Sequence, residues 1–223
     1  MEKRGEGIME RLSFTDRESW LAGRTEHHGI GGSEAAAAVG LSPWQTPLEL
    51  WRIKVGAEAP KDLSGNAAVE QGVRMEPVLR DFFMATHPEF RLDYHPFDIL
   101  FQTERPWLFA TLDGELTDRD GRHGILEIKT ATPNGKAGWD KWSNGKTPAN
   151  YFAQTCHQLL ATGYDFVRLF AGLYSMNGDI TLREYEIERE DVKPSMDWLL
   201  ARETDFWVRN VLGGVMPSMP LAL

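Results

Sequence analysis

Three residues near the middle of the chain have types and spacing suited to hydrolytic chemistry: Asp113, Glu127 and Lys129. They stand in Thr111-Leu112-Asp113-Gly114 and Leu126-Glu127-Ile128-Lys129. Glu127 and Lys129 are two apart in a segment that reads as a strand, so both side chains leave the same face. Their neighbours Ile125, Leu126 and Ile128 are apolar, which sets that face near a core, where an unpaired carboxylate is costly. Fourteen positions separate Asp113 from Glu127, a spacing that suits two antiparallel strands turning at Asp118-Arg119-Asp120-Gly121. The two carboxylates can then meet across the pair, and they repel unless a cation lies between them. Hard oxygen ligands favour Mg²⁺ or Mn²⁺, and no Cys/His spacing speaks for zinc. Asp113 and Glu127 are therefore the candidate metal ligands, with the backbone carbonyl of Ile128 as a further oxygen. Lys129 would orient or deprotonate a water, or stabilise the charge on a phosphate in flight. Taken alone, the same residues also suit a turn beside an exposed ion pair, and the spacing leaves both readings open.

Other residues offer supporting chemistry. Ser33 follows Gly31-Gly32 and heads an Ala-rich segment. Free N–H groups at such a helix start can hold a phosphate, and a plain N-cap is the alternative. Gln154 and Gln158 lie four apart on one helix face with Tyr151, and their amides can donate to phosphate oxygens. Trp44 either stacks on a base or pins its loop, and the burial tendency of Trp favours pinning. Lys136, Lys141 and Lys146 with Trp139 and Trp142 form a basic and aromatic stretch after Lys129. Cys156 has no partner and is expected to be an inert buried thiol.

The positioning elements follow from punctuation and period. Residues 1–12 read as a flexible leader and 13–223 as a single domain. Thr15 with Glu18 opens a helix running to about Gly23, Ser33 opens one ending at Gly40, and Pro47 opens another ending at Val55. The stripe Val69, Val73, Val78, Leu79, Phe82 and Phe83 predicts a helix over 66–86, kinked or split at Pro77. Strands are expected over 91–94, 97–102, 108–116, 123–130, 166–174 and 181–187, with Asn177-Gly178 turning the last pair. Helices are expected over 148–162 and 191–211. Helices first, then a sheet with an inserted helix, is an α/β or α+β arrangement.

The chain has 223 residues, with 24 Lys+Arg against 33 Asp+Glu and a net charge of −9. Its 42% hydrophobic and 26% charged residues exclude a disordered or collagen-like chain. One cysteine excludes an intrachain disulfide and fits a reducing, cytoplasmic setting. No apolar run follows the charged start, so no signal peptide is read there. The negative charge by itself speaks against a simple basic nucleic-acid coat. A basic path for DNA would have to be local, and Arg74, Arg80, Lys129, Lys136 and Lys141 are its candidates inside an acidic surface.

The chain as a whole resembles the YqaJ-like viral recombinase family, which includes relatives of phage lambda exonuclease. The resemblance rests on blocks in the family's order. They are Gly31-Gly32-Ser33-Glu34-Ala35-Ala36-Ala37, Leu41-Ser42-Pro43-Trp44-Gln45-Thr46-Pro47, Gly72-Val73-Arg74-Met75-Glu76-Pro77, the Asp113 and Glu127-Ile128-Lys129 segments, and Tyr151-Phe152-Ala153-Gln154-Thr155-Cys156-His157-Gln158. It implies a restriction-endonuclease-like core, a central mixed sheet flanked by helices. It implies Mg²⁺-dependent hydrolysis of double-stranded DNA, usually 5′ to 3′, with Glu76 joining Asp113 and Glu127 at the metal and Lys129 at the water. It also implies a phosphate site pairing Ser33 with an upstream arginine, for which Arg24 is the candidate. Expected partners are DNA ends, a single-strand annealing protein and further copies in a trimeric ring. An endonuclease on the same core and a silent DNA-binding protein are the rivals.

Overall fold

A computed structural model describes residues 8–218. The first elements are β1 (Met9–Ser13), α1 (Arg17–His27), β2 (Ile30–Gly31), α2 (Ala35–Ala38), α3 (Pro47–Lys54) and α4 (Ala67–Thr86). Strands β3 (Arg91–Asp93), β4 (Asp98–Gln102), β5 (Leu108–Ala110), β6 (Gly114–Thr117) and β7 (His123–Ala131) follow. Then come α5 (Gly135–Asp140), α6 (Ala149–Thr162), β8 (Phe166–Tyr174), β9 (Ile180–Glu188) and α7 (Lys193–Asp205), which runs on as π-helical turns over Phe206–Leu212.

The central sheet has the order β3-β6-β7-β8-β9. Its middle strands β7 and β8 are parallel, from Gly124 opposite Phe166 to Ala131 opposite Leu173, and its other pairs are antiparallel. Both middle strands are buried along most of both faces, as strands covered on two sides are, with Glu127 the buried charge on β7. On one face α4 sets Leu79 and Phe83 against Leu116, Leu126 and Phe170. On the other, α6 sets Ala153, Cys156, Leu159 and Leu160 against Ile125 and Val167, and α7 packs Met196 and Leu199 into the same cluster. This is the α/β arrangement the sequence predicts, with a mixed sheet between helical layers.

A second sheet, ordered β1-β4-β5-β2, goes beyond the single sheet that the sequence predicts. Residues 9–12, expected to be leader, belong to β1 and pair with β4 from Met9 opposite Gln102 to Ser13 opposite Asp98. Residues 1–7 lie outside the described residues. The single strand expected over 108–116 is two strands in two sheets: Phe109 pairs with Phe101, whereas Leu116 pairs with Leu92 and Gly124. The chain crosses between sheets at Thr111–Asp113. Gly114 permits the crossing, because a Cβ there would lie 2.5 Å from Leu92 Cδ1.

Several boundaries differ for local reasons. Asp16 rather than Thr15 caps α1, accepting from the Ser19 N–H at 2.8 Å, and α1 extends past Gly23 to His27. Helix α4 stays continuous across Pro77. Asn66 anchors its start by accepting from Ala68 and Val69, and its apolar stripe holds it on the sheet. Val73, whose carbonyl loses its partner to the proline ring, is on the exposed side. Among the described residues, no helix is long and apolar enough to cross a membrane.

Candidate active site

Strand β6 stops pairing with β7 at Gly114 opposite Leu126. One step further out in the same register, Asp113 stands opposite Glu127. Its side chain replaces the missing strand, with Asp113 Oδ2 accepting the Ile128 N–H at 2.7 Å. In a strand the N–H and C=O of one residue leave the same edge. The Ile128 carbonyl is therefore aimed along the edge that β6 vacates, into a cleft of about 400 Å³ lined by Asp113, Glu127, Ile128 and Lys129 together with Glu76 of α4 and Gln154 of α6.

Glu127 is 1% exposed. Its Oε1 receives Gln154 Nε2 at 2.7 Å and Lys129 Nζ at 2.5 Å, and its Oε2 receives Gln158 Nε2 at 2.5 Å. Lys129 leaves the same face as Glu127, as the two-residue spacing requires, and lies over the Tyr151 ring at 5.3 Å. Burial works against its ammonium, yet Glu127 and Asp113 outweigh that and raise its pKa. The Asp113 pKa is raised as well, which for a carboxylate disfavours the charge. Burial first, then repulsion from Glu127 and Glu76, hold its pKa well above the ordinary value despite Lys129 and the Ile128 N–H.

These donors suit a hard cation. A carboxylate has about four lone-pair positions. Among the described residues, Asp113 uses one and keeps Oδ1 without a hydrogen bond, and Glu127 uses three. With the Ile128 carbonyl, they form an all-oxygen set around buried, mutually repelling charge, which fits Mg²⁺ or Mn²⁺. Among the described residues, however, no three acidic or imidazole side chains already converge as a metal cage. Glu76 is held back by an ion pair with Arg80 Nη2.

Arg80 is the main residue that sequence reasoning misplaced. Expected on a DNA path, it is only 7% exposed. Its Nε donates to the Asp113 carbonyl at 2.8 Å, its Nη2 pairs with Glu76, and its guanidinium lies 3.5 Å from the Tyr94 ring centre. It thus ties α4 to the crossing between the sheets. Its i+4 spacing from Glu76 was the available signal. Arg80→Ala is expected to lower stability by about 2–4 kcal/mol, from lost charge-assisted hydrogen bonding and ring contact. Arg80→Lys, which keeps the charge but not the fork, is expected to lose about tenfold to a hundredfold in activity through misplacement of Asp113. Thermal melts and digestion rates measured side by side check both.

The other expected residues divide. Gln158 is fully buried and gives its amide to Glu127, so as placed it positions a carboxylate instead of meeting a phosphate. Gln154 lines the cleft but also spends its amide on Glu127. Ser33 is not the cap of an α-helix. It sits in a 3₁₀ turn over Gly32–Glu34, exposed and lining the cleft, and Glu34 Oε2 already accepts the Gly31 N–H at 2.9 Å. Arg24 lies against Gly31, the residue just before that turn, with its guanidinium carbon 4.9 Å from the Trp20 ring centre. Trp44, expected to be pinned inside its loop, lines the cleft with its ring exposed. Cys156 is buried as expected, and burial pushes its thiol up to about 12. Lys136, Lys141 and Lys146 are exposed, on the segment between β7 and α6.

The profile of the YqaJ-like viral recombinase domain matches residues 19–165, and the chain belongs to that family. The fold is restriction-endonuclease-like. Among individual relatives, the YqaJ protein of Bacillus subtilis (strain 168) is 28% identical over 217 residues, which cover 97% of this chain and 63% of that protein. The chain thus spans less than two thirds of that relative's length. An alkaline exonuclease from Laribacter hongkongensis, LHK-Exo, superposes with a TM-score of 0.56 at 16% identity, over 89% of this chain and 98% of that one. A phage-related exonuclease from Haemophilus somnus 129PT superposes at 0.53 and 10% identity, over 84% and 96%.

Proposed function

We propose that this chain is a Mg²⁺-dependent DNA exonuclease of phage-type recombination, hydrolysing phosphodiesters of double-stranded DNA from 5′ to 3′. The observation that carries it is the meeting of Asp113, Glu127 and Lys129 in one cleft at the point where β6 leaves β7. Membership of a recombinase family supports it. So do the names of two fold neighbours, each called an exonuclease, one of which has also been crystallised with dAMP.

Asp113, Glu127 and the Ile128 carbonyl would hold the ion, with Glu76 joining once released from Arg80. Bound there, Mg²⁺ supplies Lewis-acid neutralisation of phosphate charge. Lys129 keeps its proton and presents a fixed ammonium to the negative charge that grows on phosphorus as water attacks in line. Gln154 and Gln158 clamp Glu127 so that its carboxylate does not turn away. Ser33 and Arg24 would take a neighbouring DNA phosphate, and Arg74, Lys136 and Lys141 would attract the duplex. DNA ends, a single-strand annealing protein and a trimeric ring are the partners this reading carries.

Linear duplexes labelled at either the 5′ or the 3′ end, and a covalently closed circle, test it with Mg²⁺ and with EDTA. Release of 5′ label first, in Mg²⁺ only, with the circle intact, is the expected result. Cutting of the circle would replace exonuclease by endonuclease. Full digestion in EDTA by a highly purified preparation would overturn the mechanism.

A further inference from the structure

We propose that the mouth of the cleft is a nucleobase subsite, with Trp44 as the platform on which the base next to the scissile phosphate stacks. The inference rests on the nuclease reading and adds to it a residue that recognises the base. Trp44 is 72% exposed, the most exposed of the eight tryptophans, yet it lines the same cleft as Asp113, Glu127 and Lys129. An indole left in water is unfavourable unless something covers it.

Its exposure is not a product of a loose loop. Gly40 N–H donates to the Ala37 carbonyl, and the Leu41 and Ser42 N–H groups both donate to the Ala36 carbonyl, at 2.8 and 3.1 Å. Ser42 Oγ then accepts from the N–H of Trp44 and of Gln45, at 3.2 and 3.3 Å. Pro43 precedes the ring, and Thr46 caps α3 two residues on. The backbone is held nearly residue by residue, so the indole is presented rather than dangling, and little entropy remains to be lost on stacking.

The ring's setting fits a nucleotide. Its one aromatic neighbour among the described residues, Tyr151, is 6.1 Å away and tilted by 45°, so no ring is stacked on the indole. Tyr151 in turn lies over Lys129, which places the ammonium one ring beyond Trp44. A base on the indole therefore sits beside the charged end of the cleft, where its own phosphate belongs. Stacking on a π-face tolerates every base, as a nuclease that degrades any sequence needs.

The test is a cycle between the indole and the base. Affinity of the full chain is measured, with Ca²⁺ in place of Mg²⁺, for duplexes carrying an abasic residue at each of the first three positions of each strand end. For the unaltered protein, one abasic position is expected to weaken binding by about 5- to 100-fold. Trp44→Ala is expected to lose as much on intact DNA and nothing more on the abasic duplex. Trp44→Phe is expected to keep most of the affinity. Losses that multiply, unchanged binding by Trp44→Ala, or a change in oligomeric state without a change in base dependence would each overturn the subsite. If the unaltered protein digests normal duplex in Mg²⁺ but shows no coupling, the subsite alone fails; if it neither binds nor digests, the nuclease reading fails with it.

Discussion

Asp113→Asn and Lys129→Ala are expected to remove digestion alike, each by about a thousandfold or more, while moving stability in opposite directions. Both lose activity because the first removes a charged oxygen ligand and the second removes the ammonium facing the phosphate. Stability separates them. Asp113 is a carboxylate in a place that resists its charge, through burial and then through Glu127 and Glu76. Asparagine keeps an oxygen for the Ile128 N–H and drops the charge, so in EDTA at neutral pH its Tm should exceed that of the unaltered protein. Lys129 is the cation that opposes both carboxylates, so Lys129→Ala should lower Tm under the same conditions. Adding Mg²⁺ should raise Tm for the unaltered protein and much less for Asp113→Asn, because stabilisation follows binding. DNA binding should be partly retained in both. Digestion surviving either substitution would remove these residues from the chemistry. A Tm fall for Asp113→Asn in EDTA would refute the account of repelling carboxylates.

Such opposite signs cannot be read from the sequence, and the reason shows what was legible. Glu127 and Lys129 fall on one face because a strand has a period of two, whatever surrounds it. Asp113 falls opposite Glu127 because the Asp118–Gly121 turn fixes the hairpin register. The run Phe166–Tyr174 appeared with its observed limits, and Asn177-Gly178 turned the last pair, with Gly178 at φ 86°. Each of these depends on a few consecutive residues. The misplacements depend on partners distant in sequence. Arg80 looked like a DNA contact because nothing local shows that the Asp113 carbonyl and the Tyr94 ring close over it. Gln158 looked like a phosphate ligand because helical spacing gives its face but not its depth. The 108–116 strand looked continuous because its division into two sheets is decided by β1 and β4 on one side and β3 on the other.

The helix that carries both glutamines is itself held by a buried charge pair, and its loss is expected to have the largest effect on stability. His157 and Glu203 are both 0% exposed. His157 Nδ1 lies 2.8 Å from Glu203 Oε1, and Nε2 lies 2.9 Å from the Phe109 carbonyl. A carbonyl and an ionised carboxylate only accept, so with Glu203 ionised both contacts are hydrogen bonds only if the ring is doubly protonated. Burial opposes that charge, but Glu203, the Phe109 carbonyl and the more distant Glu34 outweigh it and raise the His157 pKa above 6.5. A histidine pKa raised on folding contributes stability in full below its unfolded value, and that stability is lost as pH rises through the folded value. The unaltered protein should therefore lose Tm on going from pH 6 to 9. Glu203→Gln, which keeps an acceptor and removes the charge, should flatten that slope. Glu203→Ala, which leaves the imidazole without its carboxylate, should cost about 3–5 kcal/mol at pH 6. Activity should follow, because the pair joins α6, with Gln154 and Gln158, to the last turn of α7 and to β5, which ends three residues before Asp113. Melts of the three proteins across that pH range decide it: an unchanged slope in Glu203→Gln would mean that His157 is not the group being titrated.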